Sequence, residues 1–427
     1  MKALRKLNAM MAEGARAHAR WEIDNARTIL GSKKRMFILF ILTIPAVLLS
    51  VAFATDSLPD MVGGKHAYMP AFYDGTTFAV SILIGVCAGL ITGCIGAGGG
   101  FIITPALMSA GIKGILAVGT DLFHIFAKAI MGTAVHKKLG NVSVALAVWF
   151  LVGSGIGVTG GGVINRALYE INPVLSDAFI SVVYVVLLGF LGFYALFDFL
   201  KLRKSGEDVG AHHGASQHGA EAASGKKGLP ATLQASKIPP YITFDEDLVP
   251  GGKKIPALYV IICGAIVGFM AAIMGVGGGF LTFPMFVYVL GVSSFTTVGT
   301  DILQIIFTAG YAAITQYAVY GFIFYTLAMG MLIGSLLGIQ LGALTTKVVK
   351  GIYIRGFYAT AILAGFTNRL FALPGTLTDM EYIQLSPETV SMFKIIGNWS
   401  FFIVVSVFAL FVISKFFGNL KTLRQGA

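Results

Sequence analysis

The sequence predicts an all-α, polytopic integral membrane protein built from two inverted repeats, and three observations carry that prediction. The first is composition: of 427 residues, 56% are hydrophobic and 12% charged, with a mean hydropathy of +0.81. Soluble domains carry about 25% charged residues. The second is length, because several apolar runs reach the roughly 20 residues a helix needs to cross a bilayer. The third is repetition. Gly96-Ala97-Gly98-Gly99-Gly100-Phe101 returns as Gly275-Val276-Gly277-Gly278-Gly279-Phe280, and Val118-Gly119-Thr120-Asp121 returns as Val298-Gly299-Thr300-Asp301. Punctuation matched over such a distance marks a duplicated unit. Pro105 and Pro284 follow the two Phe residues at the same spacing, and Gly85 and Gly89 precede the first cluster as Gly264 and Gly268 precede the second.

Residues 1–35 carry nine Lys or Arg against three acids, with Trp21, Ile23, Ile29 and Leu30 among them. An interfacial amphipathic helix and a solvated basic tail both fit. An extra transmembrane helix is expected over 36–54. Ala52-Phe53-Ala54 resembles a signal-peptidase site, but the preceding segment is too long for an ordinary leader, so an uncleaved anchor is expected. The basic residues before it place the N-terminus in the cytoplasm.

The first repeat spans 76–200. Helical segments are expected near 76–95, 101–112, 115–136, 142–163 and 174–200, the second of them short and starting at the glycine break. Residues 201–255 are polar and rich in Gly, Ser, Ala and charge. They are read as a cytoplasmic, flexible linker in which His212, His213 and His218 form no metal site. The second repeat spans 256–371, with segments near 256–274, 280–290, 295–318, 321–345 and 350–371. A polar stretch from Pro374 to Glu388 follows, then a last helix near 391–418. Lys137-Lys138, Lys201, Arg203, Lys204, Lys253-Lys254, Lys347, Lys350, Lys415, Lys421 and Arg424 all fall on the cytoplasmic side only if each short piece crosses. Each repeat then makes five passes, the two run in opposite senses, and both termini are cytoplasmic.

The net charge of +11 lies mostly at the ends of apolar segments, so it reads as a topology signal rather than a nucleic-acid surface. Cys87, Cys94 and Cys263 sit inside apolar runs as small packing residues. No disulfide, metal or cofactor is expected. Gly153, Gly157 and Gly161 recur as Gly334, Gly338 and Gly342, with Ser154 matching Ser335. A spacing of four lines each set along one helix face, where another helix can approach closely.

A phosphate-cradling reading of the glycine cluster fails because Phe101 stands where the third glycine of a dinucleotide fingerprint belongs. In a membrane the cluster has another use. Successive glycines break the helix, and the freed backbone groups must line a protein-enclosed space. A half-helix starting there aims N–H groups, with partial positive charge, at an anion. Two inverted copies would set two such ends opposite each other near the midplane. The candidate substrate-binding residues are therefore Gly98, Gly99, Gly100, Thr104, Gly277, Gly278, Gly279 and Thr282; close packing alone is the alternative for these glycines.

Asp121, His124 and Lys128 share one face of an otherwise apolar helix, and their equivalents are Asp301, Gln304 and Thr308. Ionisable groups in a membrane are costly and call for a partner or a function. Lys128 and His124 would add positive charge for the anion. Asp121 and Asp301 would carry protons or stabilise the broken helices, and helix capping is the structural alternative for both.

The twice-written Gly-x-Gly-Gly-Gly-Phe, the proline four residues on, and the Val-Gly-Thr-Asp that follows resemble the sulfite exporter TauE/SafE family of membrane permeases, over roughly residues 76–200 and 256–371. The resemblance implies a transporter of small anions, often sulfur oxyanions or organosulfonates, and a bacterial-type inner membrane is its expected location. An anion channel or a carboxylate permease are the alternatives. An intramembrane enzyme lacks its signatures here: there is no His-Glu-x-x-His and no Gly-x-Ser-x-Gly. The expected partners are the anion and the lipid bilayer, with self-association open.

Overall fold

A computed structural model describes residues 75–95, 99–138, 143–205, 229–245, 252–345, 348–349 and 351–419, all within one unit of the chain, residues 69–427. The readings of the basic N-terminal segment, the 36–54 helix, the linker histidines, Gly98 and the extreme C-terminus fall outside those residues.

The first repeat comprises α1 (Gly75–Ile95), α2 (Gly100–Ser109), α3 (Gly114–Lys138), α4 (Val144–Ile171) and α5 (Pro173–Ser205). The second comprises α7 (Ala257–Met274), α8 (Gly279–Pro284, continuing in π geometry over Met285–Leu290), α9 (Ser294–Tyr311, continuing in π geometry over Ala312–Ala318), α10 (Tyr325–Thr345) and α11 (Gly351–Asp379). α12 (Pro387–Gly418) closes the chain. Five described helices, α4, α5, α7, α10 and α12, are long and apolar enough to cross a membrane, and α1, α2 and α8 are shorter apolar helices. The protein is an all-α polytopic membrane protein.

The glycine ladders build the frame. A Cβ on Gly153, Gly157 or Gly161 would meet α7 backbone at Ile261, Ala265 and Phe269, the first two at 1.9 and 2.0 Å. Gly334, Gly338 and Gly342 face α1 at Ile82, Val86 and Leu90, while Gly85 and Gly89 face Met331 and Ser335. Real Cβ atoms cannot sit that close, so each glycine marks backbone against backbone. Numbers rise together along both pairs, so α1 runs parallel to α10 and α4 parallel to α7. If successive segments alternate across the membrane, only oppositely oriented repeats make the first helix of one parallel to the fourth of the other. The fifth helices run antiparallel, with Gly189 and Gly192 of α5 against Phe366 and Leu363 of α11, and Gly356 against Phe199. That is the relation inversion requires.

Two expectations are corrected. Within 201–255, α5 continues to Ser205, a short helix α6 spans Leu229–Gln234, and β1 (Tyr241–Phe244) pairs antiparallel with β2 (Lys253–Pro256), Tyr241 opposite Pro256. Ile242, Phe244 and Ile255 are buried in the core, so this part of the linker is built rather than flexible. The alternation of Ile242 and Phe244 is a strand signal. Secondly, α11 runs through Pro374 to Asp379 instead of ending near 371. Packing of its last turn on Val390 and Lys394 of α12, where a Gly375 Cβ would meet Lys394 Cε at 2.7 Å, outweighs the one hydrogen bond the proline removes.

Candidate functional site

Both glycine clusters break a helix and start a half-helix. Gly99 (φ 77°) precedes α2, and Gly275, Gly277 and Gly278 (φ 77°, 64° and 90°) lead into α8. Positive φ costs an L-residue roughly 1–2 kcal/mol, so glycine is demanded here. The breaks meet each other. A Cβ on Gly100 would come within 2.7 Å of Val276 Cα, and the Phe101 and Phe280 rings lie 5.9 Å apart. The N-terminal ends of α2 and α8, whose first N–H groups have no intrahelical acceptor, therefore converge on one another.

The third helix of each repeat supplies the side chains around these ends. Asp121 Oδ2 accepts a hydrogen bond from Thr104 Oγ1 at 3.1 Å and would lie 3.3 Å from a Cβ on Gly100. In the second copy Asp301 Oδ2 would lie 3.5 Å from a Cβ on Gly279. Both acids sit well inside α3 and α9, which begin at Gly114 and Ser294, so neither caps its own helix. The caps elsewhere are ordinary: Ser293 accepts from Thr296 N at the start of α9.

The two copies are completed differently. Gln304 Nε2 donates to Asp301 Oδ1 at 2.8 Å and to Thr282 Oγ1 at 2.9 Å, Thr308 donates to Gln304 Oε1 at 2.8 Å, and Thr308 meets Ser154 at 2.9 Å. Both ends of the Gln304 amide are thus engaged, as are Asp301 Oδ1 and the Thr282 and Thr308 hydroxyls. In the first copy His124 replaces the glutamine. Its Nε2 is 3.0 Å from Ser335 Oγ, while its Nδ1 faces Asp121 Oδ1 at 3.7 Å, too long for a hydrogen bond. Those two atoms are buried and have no hydrogen-bond partner among the described residues. Lys128 Nζ donates to Thr92 Oγ1 at 3.4 Å, and Thr92 is the side chain that a Cβ on Gly99 would strike at 2.7 Å. The ammonium thus approaches the first break, and the charges of Lys128 and Asp121 act on one another.

Of the residues singled out in the sequence, Gly99, Gly100, Thr104, Asp121, His124 and Lys128 come together around the first break. Gly277, Gly278, Gly279, Thr282 and Asp301 gather around the second, 3.8 Å separating a Gly278 Cβ position from Gln304 Nε2. Thr92, Ser154, Ser335, Tyr184 and Tyr317 were missed. Ser154 and Ser335 were visible as a matched pair but were read with the packing glycines beside them. Tyr184 Oη donates to Met274 O at 2.5 Å and Tyr317 Oη to Ala272 O, satisfying carbonyls at the interrupted end of α7.

Broken helices meeting end to end inside a bundle of inverted repeats define a membrane transporter. Residues 81–368 match the model of the sulfite exporter TauE/SafE family, and the chain belongs to that family. It is 26% identical over 267 residues to the Probable membrane transporter protein YjnA of Bacillus subtilis, covering 61% of this chain and 87% of that one. A second relative, the Probable membrane transporter protein YunE of the same organism, is 23% identical over 282 residues, 64% of this chain and 90% of its own. No solved structure matches.

Proposed function

We propose that the protein is a secondary transporter of a small anion, a sulfur oxyanion or organosulfonate, coupled to protons and lying in the cell inner membrane with both termini in the cytoplasm. The observation that carries this reading is that Asp121 Oδ1 and His124 Nδ1, beside the converging N-termini of α2 and α8, have no hydrogen-bond partner among the described residues. Helix N-termini favour an anion, and Lys128 adds a full positive charge at the first break. Asp121 opposes it: a carboxylate beside a bound anion is a like-charge pair in a medium of low dielectric. A proton taken up by the Asp121–His124 pair removes that repulsion, so anion and proton bind better together than either does alone, which is the linkage a symporter needs. The second copy, closed by Gln304 and Thr308, holds the other half-helix without titrating through a histidine.

Thr104, Asp121, His124, Thr282 and Gln304 are each 0% exposed. Such closure favours alternating access over an open channel. Purified protein in proteoliposomes tests the reading. Sulfite or sulfate uptake is expected to saturate, to show counterflow, and to accelerate under an imposed pH gradient. Uptake indifferent to the gradient would remove the proton coupling, and single-channel currents would replace the transporter by a channel.

A further inference from the structure

Each half-helix turns into the third helix of its repeat through a short loop, and charged side chains grip both loops in the same sense. In the first repeat the loop lies between Ser109 and Gly114. Arg369 of α11, 4% exposed, donates from Nη2 to Pro105 O at 3.4 Å and to Ser109 Oγ at 3.1 Å, on the last turn of α2. Asn368 Oδ1 anchors that guanidinium at 2.8 Å from Nε. Across the loop, Asp177 Oδ1 of α5 accepts from Gly114 N at 2.7 Å, the first residue of α3. The charges of Arg369 and Asp177 act on one another.

In the second repeat the loop lies between Leu290 and Ser294, and the same two roles pass to the linker. Lys253 Nζ of β2 donates to Gly291 O at 3.1 Å, and Gln234 Nε2 of α6 to Leu290 O at 2.8 Å, both at the carbonyl end of α8. Asp245 accepts from Ser293 N at 2.9 Å and from Ser293 Oγ at 2.7 Å, at the N-terminal end of α9. Lys253 and Asp245 stand 3.5 Å apart. Asp245 is buried and held at φ 57°, a conformation that Asp and Asn tolerate better than most residues.

In both loops a cation faces the negative end of the half-helix dipole and an anion faces the positive end of the helix that follows. Reversing one charge would oppose the dipole it faces, and exchanging the two would oppose both. The two sets come from unrelated parts of the chain, the fifth helices in one case and the linker in the other, yet they perform the same task. We infer that the pairs Arg369–Asp177 and Lys253–Asp245 are positioning residues that fix the two half-helices with their N-termini at the anion, which makes residues 229–245 and 252–256 a working part of the second repeat. The inference rests on the anion-transporter reading above.

Calorimetric titration of the full-length protein in detergent with sulfate and with sulfite tests it. Lys253 is the variant to begin with, because its side chain is 38% exposed and its replacement leaves the core intact. Lys253→Met and Asp245→Asn are each expected to weaken anion binding about fivefold, with Lys253→Arg near wild type. The swapped double variant, Asp245→Lys with Lys253→Asp, keeps a salt bridge but sets both charges against the dipoles, and is expected to bind no better than the single variants. Wild-type affinity in Lys253→Met, or its recovery in the swapped pair, would overturn the inference while leaving the anion site standing. A folded wild-type protein that binds neither ion would overturn both.

Discussion

Thr120 and Asp121 are neighbours in sequence, yet their side chains serve different halves of the molecule. Asp121 turns to Thr104 on its own half-helix, while Thr120 Oγ1 accepts from Phe324 N at 3.0 Å, just before α10 of the other repeat. Thr300 does the same for Ser143 N, at 3.0 Å, before α4. Gly119 lets that approach happen, since a Cβ there would meet Phe322 O at 2.2 Å. In the first copy of Val-Gly-Thr-Asp three successive residues thus supply a contact, a cross-repeat hydrogen bond and a half-helix anchor. Replacing Thr120 by Val leaves a backbone N–H without its acceptor, and a loss of about 1–3 kcal/mol of stability is expected in thermal unfolding in detergent. An unchanged midpoint would show the bond to be idle. At the coupling pair, His124→Gln makes the first copy resemble the second. Uptake is expected to persist but to respond less to an imposed pH gradient, because an amide does not titrate and Asp121 alone of the pair is left to take up the proton. Acceleration by the gradient equal to wild type would place coupling elsewhere.

At the scale of the element, the ladders separate glycines that matter from those that do not. Gly157 lies against Ala265 O, whereas a Cβ on Gly155 of the same helix would meet nothing within 4 Å. Gly157→Ala is expected to push α4 from α7 and to cost about 1–3 kcal/mol. Gly155→Ala is expected to be neutral or to gain up to about 1 kcal/mol in helix propensity. Unfolding midpoints of the two variants that coincide would contradict the backbone-to-backbone packing. For the half-helices, Gly99→Leu and Gly278→Leu place a side chain at φ 77° and 90° and are expected to abolish sulfite binding in a thermal-shift titration. Retained binding in both would remove the glycine breaks from the site.

Across the whole molecule, neither repeat completes its own frame. α1 packs its backbone against α10 and α4 against α7, so the glycine faces of both pairs are buried between the halves. Lipid gives separated helices no hydrophobic reason to associate, which leaves close packing and hydrogen bonds to hold the halves. Fragments 1–215 and 216–427 are therefore expected to accumulate poorly when expressed singly and to co-purify as a stable pair when expressed together. A first fragment that folds by itself would refute this mutual dependence.

The fold class, the duplication, the two breaks and the polar face of α3 are all legible before folding, because they follow from composition, spacing and repetition within single segments. Inversion was legible too, through charges that alternate at helix ends. How the copies interlock emerges with the folded chain alone, since Ser335 at His124, Ser154 at Thr308 and Thr120 at Phe324 join residues far apart in the sequence. Residues 229–245 and 252–256 likewise meet the loop of the second repeat only in the folded chain. Gln234, Asp245 and Lys253 look like ordinary solvated linker residues until the loop at Gly291 lies beside them. Local patterns report what a segment can do alone, and the charge that a helix end requires is known only once the fold has brought that end to its partner.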